Sequence, residues 1–520
     1  MVPQSISPSR TSPIAAARRQ WAALAILTLA VVLLAVDGTV LYLAVPALTA
    51  ALDPSAVQVL WIGDVYSFAL AGLLVTMGNV ADRIGRKKLL LIGAVGFGIA
   101  SAVAAFAPSA EMLIAARALL GISGATIMPS TLSLVRNIFT DARQRTRAIA
   151  IWSAGATGGA ALGPLVGGAL LENFWWGSVF LINIPVMVVL LIGGILLLPE
   201  SKNPDPAPLD LVSALLSIMA IVPVVYAVKT LASEGLRIEA ALGVVVGVLA
   251  GLIFVRRQKR IANPLLDVDL FRRPAFSGAV AANTIAIFAF TGLLFFFSQY
   301  LQLVRGFGPL QAGIAELPST VASIAVIAVI GIIVTRLGRG PSIAAGLALS
   351  GVGLVTLAIA EGLPGYLWIA LALVIIGFGV SIAATVSTDA VMAAVPPQRA
   401  GAASSVAETA YELGIALGIA VLGSIHTGLY RIFLLIPEGT SAEDRSTVTE
   451  SLAAATRTLR ADGTGPALDL LASAQHAFTM AMQISSIIAA VLVLVAAVIA
   501  WRAIPAERRA PHPTHDRSGK

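Results

Sequence analysis

The sequence predicts an all-α polytopic membrane protein. Three observations carry that prediction. Apolar runs of about 20 residues recur from Trp21 to Trp501, each long enough to cross a bilayer as a helix. The composition is 58% hydrophobic and only 12% charged, outside the range of soluble domains. Alternating segments of about ten residues, the mark of a membrane β-barrel, are missing.

Apolar length and polar interruption place about fourteen helices, at 21–47, 57–77, 88–107, 111–135, 146–170, 177–198, 209–229, 238–255, 275–303, 309–335, 341–360, 365–392, 401–430 and 474–501. The first is read as a retained helix, because its apolar run is too long for a signal peptide and lacks a cleavage site. The seventh and eighth are the least distinct and could merge. Residues 256–274 (RRQKRIANPLLDVDLFRRP) form a basic linker with a short piece suited to the membrane surface. Residues 431–473 form one long loop with helix formers around 450–460, and the last 16 residues or so are polar and expected to be disordered.

Charge orients the chain. With the N-terminus cytoplasmic, roughly 26 of the 34 Lys and Arg fall on the cytoplasmic side, about seven outside, and only Arg117 within a span. Both termini are therefore expected in the cytoplasm, in a cell (inner) membrane. The net charge of +7 is then a topology signal and not a nucleic-acid footprint. Cysteine is absent and the four histidines are scattered, so no disulfide, cysteine nucleophile or metal site is expected.

Gly78 to Lys88 read GNVADRIGRKK, a turn with one acid, Asp82, among the cations Arg83, Arg86, Lys87 and Lys88. Gly78 and Gly85 permit close approach and a tight turn. An ordinary basic loop is the plain alternative. Gly331 to Gly340 (GIIVTRLGRG) echo it, with Gly331, Arg336, Gly338 and Arg339 at the positions of Gly78, Arg83, Gly85 and Arg86, and Thr335 in place of Asp82. Arg147-Ala148 recurs as Arg399-Ala400 at nearly the same offset. Helices 1–6 (residues 21–198) and 9–14 (275–501) therefore read as two copies of one unit, with 199–274 inserted between them and 1–20 and 502–520 as tails. Two such bundles with a site between them is the plan of rocking transporters.

On the fifth span, Gly159, Gly163 and Gly167 lie four apart, with Pro164 and Gly168 beside them, a face on which helices pack closely. Ionisable groups inside spans are costly and mark function. Asp37 is deep in the first span and Arg117 in the fourth, where it is either a fixed counter-charge or a donor to carbonyls. Asp64 and Glu316 are close enough to a membrane surface to snorkel or cap. Glu408 and Glu412 lie on one face of the thirteenth span beside Tyr411; two acids there repel, which suits a proton carrier, although a packing pair is the alternative. Tyr42, Tyr66, Phe295 and Tyr411 could offer aromatic faces to a cation.

The GNVADRIGRKK loop resembles the signature loop of the major facilitator superfamily. The Gly159–Gly168 segment is similar to that superfamily's antiporter motif, and the stretch around Asp37 (AVDGTVLYLAVPAL) to a motif of its fourteen-span drug:proton antiporters. That resemblance covers nearly the whole chain outside the tails and the 431–473 loop. It implies the major facilitator fold, two six-helix bundles plus two helices, and efflux of hydrophobic, often cationic compounds against inward proton flow. It further implies protons and membrane lipids as partners, a monomer, no cofactor beyond the proton gradient, and no enzymatic activity. Asp37, Asp64, Arg117, Glu408, Tyr411 and Glu412 would couple protons to substrate. Gly78, Asp82, Arg83, Gly85 and Arg86 would form a conformational latch. A dedicated exporter of one metabolite could use the same motor. A lipid-linked transferase would need an acid-rich motif at the membrane edge, to which Asp267 and Asp269 are the nearest approach.

Overall fold

The computed structural model describes residues 13–202, 210–235, 237–261, 264–395 and 400–504. The Arg399 end of the second echo, most of the C-terminal tail and residues 1–12 lie outside them. Among the described residues the chain is helical without strands, and fourteen helices there are long and apolar enough to cross a membrane.

The first half holds α1 (Pro13–Leu52), α2 (Ala56–Ile84), α3 (Arg86–Ala105), α4 (Ala110–Ile138), α5 (Ala142–Asn173) and a sixth span broken into α6 (Ser178–Leu181) and α7 (Asn183–Leu197). An inserted hairpin follows, α8 (Leu211–Glu234) and α9 (Ile238–Gln258). The second half holds α10 (Pro274–Gln299, continued by a π-helical turn Tyr300–Val304), α11 (Pro309–Leu337), α12 (Arg339–Glu361), α13 (Leu367–Ala393), α14 (Ala400–Phe433) and, after two short helices α15 (Ala442–Glu450) and α16 (Leu452–Asp462), α17 (Gly465–Ala503). The seventh and eighth spans thus stand as separate helices. The 431–473 segment is not one loop, because it contains α15, α16 and the first turns of α17. The 256–274 linker carries a 3-10 turn at Val268–Arg272.

Local chemistry sets several helix starts. Ser55 and Gln58 form a reciprocal capping box at α2. Ser109, Asp141 and Asp210 accept from the third backbone N–H of α4, α5 and α8. Gly85 and Gly338 join α2 to α3 and α11 to α12 at φ of 115° and 85°, so both signature turns need a residue without a Cβ penalty.

The two halves repeat their packing. In the first, α1 packs on α5, α2 on α4, and α3 on α4 and α7; in the second, α10 packs on α14, α11 on α13, and α12 on α13 and α17. Across the seam α2 meets α14 and α5 meets α11, a pairing that exchanges under the same correspondence. Large apolar side chains such as Ile99, Leu196, Leu242, Val498 and Ile499 cover the perimeter, where hydrocarbon would receive them.

Candidate functional site

The cross-half contacts described here lie between the middle of the helices and the end away from the N-terminus, called below the far end. Gly168 of α5 abuts Pro309 and Leu310, and Gly313 abuts the Pro164 carbonyl. Gln302 donates to the Leu43 carbonyl at 3.1 Å, and Arg457 of α16 pairs with Asp53 at 2.5 Å. These contacts tie the two halves together at the far end.

At the middle of the seam stands a polar cluster. Asp37 is fully buried; one carboxylate oxygen accepts from Arg117 Nη1 at 3.2 Å and the other from Asn183 Nδ2 at 2.7 Å. Arg117 Nε donates to the Ile62 carbonyl at 3.1 Å, and its guanidinium lies 4.8 Å from the centre of the Tyr66 ring. The two roles left open for Arg117 are thus held together, counter-charge and carbonyl donor. Asn183, at the start of α7, also donates to Ser101, so α1, α3, α4 and α7 meet at one carboxylate. The break between α6 and α7 brings Asn183 there, and nothing in its polar-plus-apolar context singled it out as a partner of Asp37.

Facing this cluster, α14 presents Glu408, Tyr411 and Glu412. Glu412 is buried opposite Ser67 of α2. Tyr66 lies within electrostatic reach of both Asp37 and Glu412, and Tyr42 within reach of Arg117, Tyr411, Glu412 and Glu316. Tyr42 also packs edge-on against Phe295 of α10 at 5.7 Å. The acids of the two halves therefore converge on a pair of tyrosines, with an aromatic wall beside them.

Three expectations need correction. Asp64 does not reach a membrane surface; it is fully buried and pairs with Lys229 of α8, whose Nζ lies 2.7 and 2.9 Å from its two oxygens. Arg117 is therefore not the only cation within a span: α8 continues five residues past Lys229 and encloses it. Glu316 is 2% exposed and neither snorkels nor caps, because it lies two turns inside α11, which begins at Pro309, on the stretch of that helix whose Gly313 and Ser319 are packed against α5 and α13. Glu361, at the end of α12, was missed. It sits in an AEGLPG context that reads as a loop, yet it is buried beside Ser486 and Arg305. His426 is likewise buried, stacked on Phe296 at 4.3 Å.

The glycine face of α5 lies on α1, alongside the stretch Val32–Val40 that carries Asp37. A Cβ on Gly163 would meet Thr39 Oγ1, which itself donates to the Ala160 carbonyl at 3.3 Å. Gly159 and Gly167 meet the Val32 and Val40 backbones. Pro164 and Gly168 face the other way, onto α11.

At the end that carries the N-terminus, Asp82 pairs with Arg86 at 2.9 Å within its own turn. Glu200 accepts from the backbone N–H of Lys87 and Lys88, and Lys87 Nζ donates to the Ile195 and Leu198 carbonyls. Gly78 faces Pro129 and Arg83 is exposed. The described contacts of this loop stay within the first half and the first residues of the inserted segment, Glu200 and Ser201. In the second half Arg339, the counterpart of Arg86, pairs at 2.8 Å with Asp389 of α13, which supplies the acid its own turn lacks.

A family model described as Major Facilitator Superfamily matches residues 27–419. The multidrug efflux pump LfrA of Mycolicibacterium smegmatis is 47% identical over 482 residues, 92% of this chain and 95% of that protein. The methyl viologen resistance protein SmvA of Salmonella typhimurium is 36% identical over 494 residues, 94% and 99% of the two chains. Among solved structures, a bacterial homologue of the human lysosomal transporter Spinster in an inward-facing, unoccupied conformation superposes with a TM-score of 0.64 at 17% identity, covering 95% of this chain and 99% of that one.

Proposed function

The chain belongs to the major facilitator superfamily, and from that premise we propose that it is a proton-driven efflux pump exporting hydrophobic, mainly cationic compounds across the cytoplasmic membrane. The names of its relatives, multidrug efflux and methyl viologen resistance, support export of such compounds. One observation carries the coupling: buried acids from both halves meet around Tyr42 and Tyr66 at the seam that alternating access must open and close.

The basic end is assigned to the cytoplasm, since Lys and Arg are retained there. With its halves tied together at the far end, the molecule is then read as poised toward the cytoplasm. In the opposite, outward-open state protons load onto Asp37 and onto Glu408 or Glu412. After the switch they leave to the cytoplasm, and the carboxylates freed of protons attract a lipophilic cation. A proton on Asp37 releases one Arg117 bond, while the Ile62 carbonyl keeps the guanidinium in place. Inward movement of each proton gains about 2.3 kcal/mol per 100 mV, plus the pH gradient. The gradient is the only energy source required, the working unit is a monomer, and the Asp82 turn acts as a latch on the cytoplasmic side.

Transport in proteoliposomes with an imposed pH gradient tests this, using a fluorescent lipophilic cation. Gradient-driven accumulation is expected; accumulation indifferent to the gradient would sink the antiport reading. A panel of unrelated cations separates a broad pump from a dedicated exporter of one compound.

A further inference from the structure

Lys229 of the inserted hairpin sits in surroundings suited to a bound cation. Its Nζ touches both Asp64 oxygens and stands 3.7 Å from the centre of the Trp61 ring. Trp61, Asp64 and Phe68 share one stripe of α2, and Val225 of α8 packs with Phe68, Ala416 and Ala420 at its foot. The adjacent stripe of α2 turns Leu60 and Gly63 onto α14. The pair therefore lies where the inserted hairpin meets both moving halves.

A buried carboxylate beside a half-buried indole face forms a receptor for an organic cation. Packing alone does not call for it, because a buried ion pair is seldom more stabilising than apolar residues of the same shape. α8 packs on α2, α14 and α9, and its remaining edge, with Leu211, Leu215 and Tyr226 turned outward, is not covered by protein. Lys229 lies five residues before Glu234, so about 8 Å of helix separates it from the far end. That is within the reach of a lysine that snorkels to water.

We propose that Asp64 and Trp61 form a second cation site on the path toward the far end, and that Lys229 is its resident occupant, displaced by a lipophilic organic cation. The site exchanges one cation for another, so its charge is conserved. While cargo is bound the Lys229 ammonium turns to water at the far end, and its return expels the cargo on that side. Cations with shielded or delocalised charge are the class selected, since they surrender water more readily than an ammonium does. This rests on the efflux reading and adds to it a tethered competitor that drives release.

Equilibrium binding of rhodamine 6G to the purified full-length protein in nanodiscs, read by fluorescence polarisation, tests the site without transport. Lys229→Met removes the competitor and should tighten binding about fivefold while slowing release. Asp64→Asn/Lys229→Met replaces the pair by a neutral one and should bind about fivefold more weakly than the wild type. This double variant removes both charges of the Asp64–Lys229 pair, so it carries the test if the single variant does not fold. Wild-type affinity in the double variant, or weaker binding in a folded Lys229→Met protein, overturns the proposal. Gradient-driven export by the wild type is read separately; its failure would sink the efflux reading, whereas unchanged binding sinks this site alone.

Discussion

Arg117 and Asp37 are joined by one charged hydrogen bond of 3.2 Å between side chains that are 1% and 0% exposed. The same guanidinium is anchored at 3.1 Å to the Ile62 carbonyl of α2. Asp37 can therefore change its proton without setting Arg117 adrift.

Asp37→Asn is expected to lower gradient-driven transport by at least about tenfold, while the protein still folds. Arg117→Met strands a buried carboxylate and should cost about 3–5 kcal/mol of stability. Combining it with Asp37→Asn should restore most of that loss. Thermal unfolding in detergent measures the stability cycle, and an additive double variant would show that the pair is not coupled.

Glu408→Gln and Glu412→Gln remove proton carriers from the second half. Each should flatten the dependence of transport on the pH gradient, with Glu412→Gln the stronger because Glu412 faces Ser67 and lies within electrostatic reach of Tyr66 across the seam. Initial rates at several imposed gradients provide the check. A wild-type slope in both variants would remove α14 from the coupling path.

Gly163→Ala puts a methyl group onto Thr39 Oγ1. Overpacking of this kind costs about 1–3 kcal/mol and should push α5 off α1 next to Asp37, with transport falling accordingly. Thr39→Ala in the same chain should recover part of it, because it removes the atom that clashes. No recovery would mean that the strain lies elsewhere on the glycine face.

Asp82→Asn breaks the ion pair with Arg86. Turnover should fall severalfold with substrate affinity nearly unchanged, since the turn is remote from the acids at the seam. Asp389→Asn, which breaks the Asp389–Arg339 pair in the second half, should act in the same direction. Binding and turnover measured on the same preparation separate the two effects, and a large loss of affinity would overturn the latch assignment.

Much of this architecture follows from local sequence. A run of about 20 apolar residues must satisfy its own backbone in hydrocarbon, so span number and helical class are written into composition. Turn chemistry is equally local, and the echoed turns share a positive φ at Gly85 and Gly338. Asp37, Glu408 and Glu412 could be singled out because a carboxylate inside a span is expensive wherever it occurs.

The partners of these acids are a different matter, because they come from residues remote in the chain. Asn183 reaches Asp37 across 146 positions and Lys229 reaches Asp64 across 165. Lys229 stood at the last residue of its expected span, and Glu361 in a segment with the composition of a loop; only the packing of neighbouring helices buries them. Sequence alone determined that this is a two-fold, fourteen-span helical protein with acids in its membrane core, since those properties depend on each segment's own hydrophobicity and periodicity. Tertiary structure decided which cation answers each acid, because a salt bridge between helices depends on their relative rotation and depth, and no single segment encodes those.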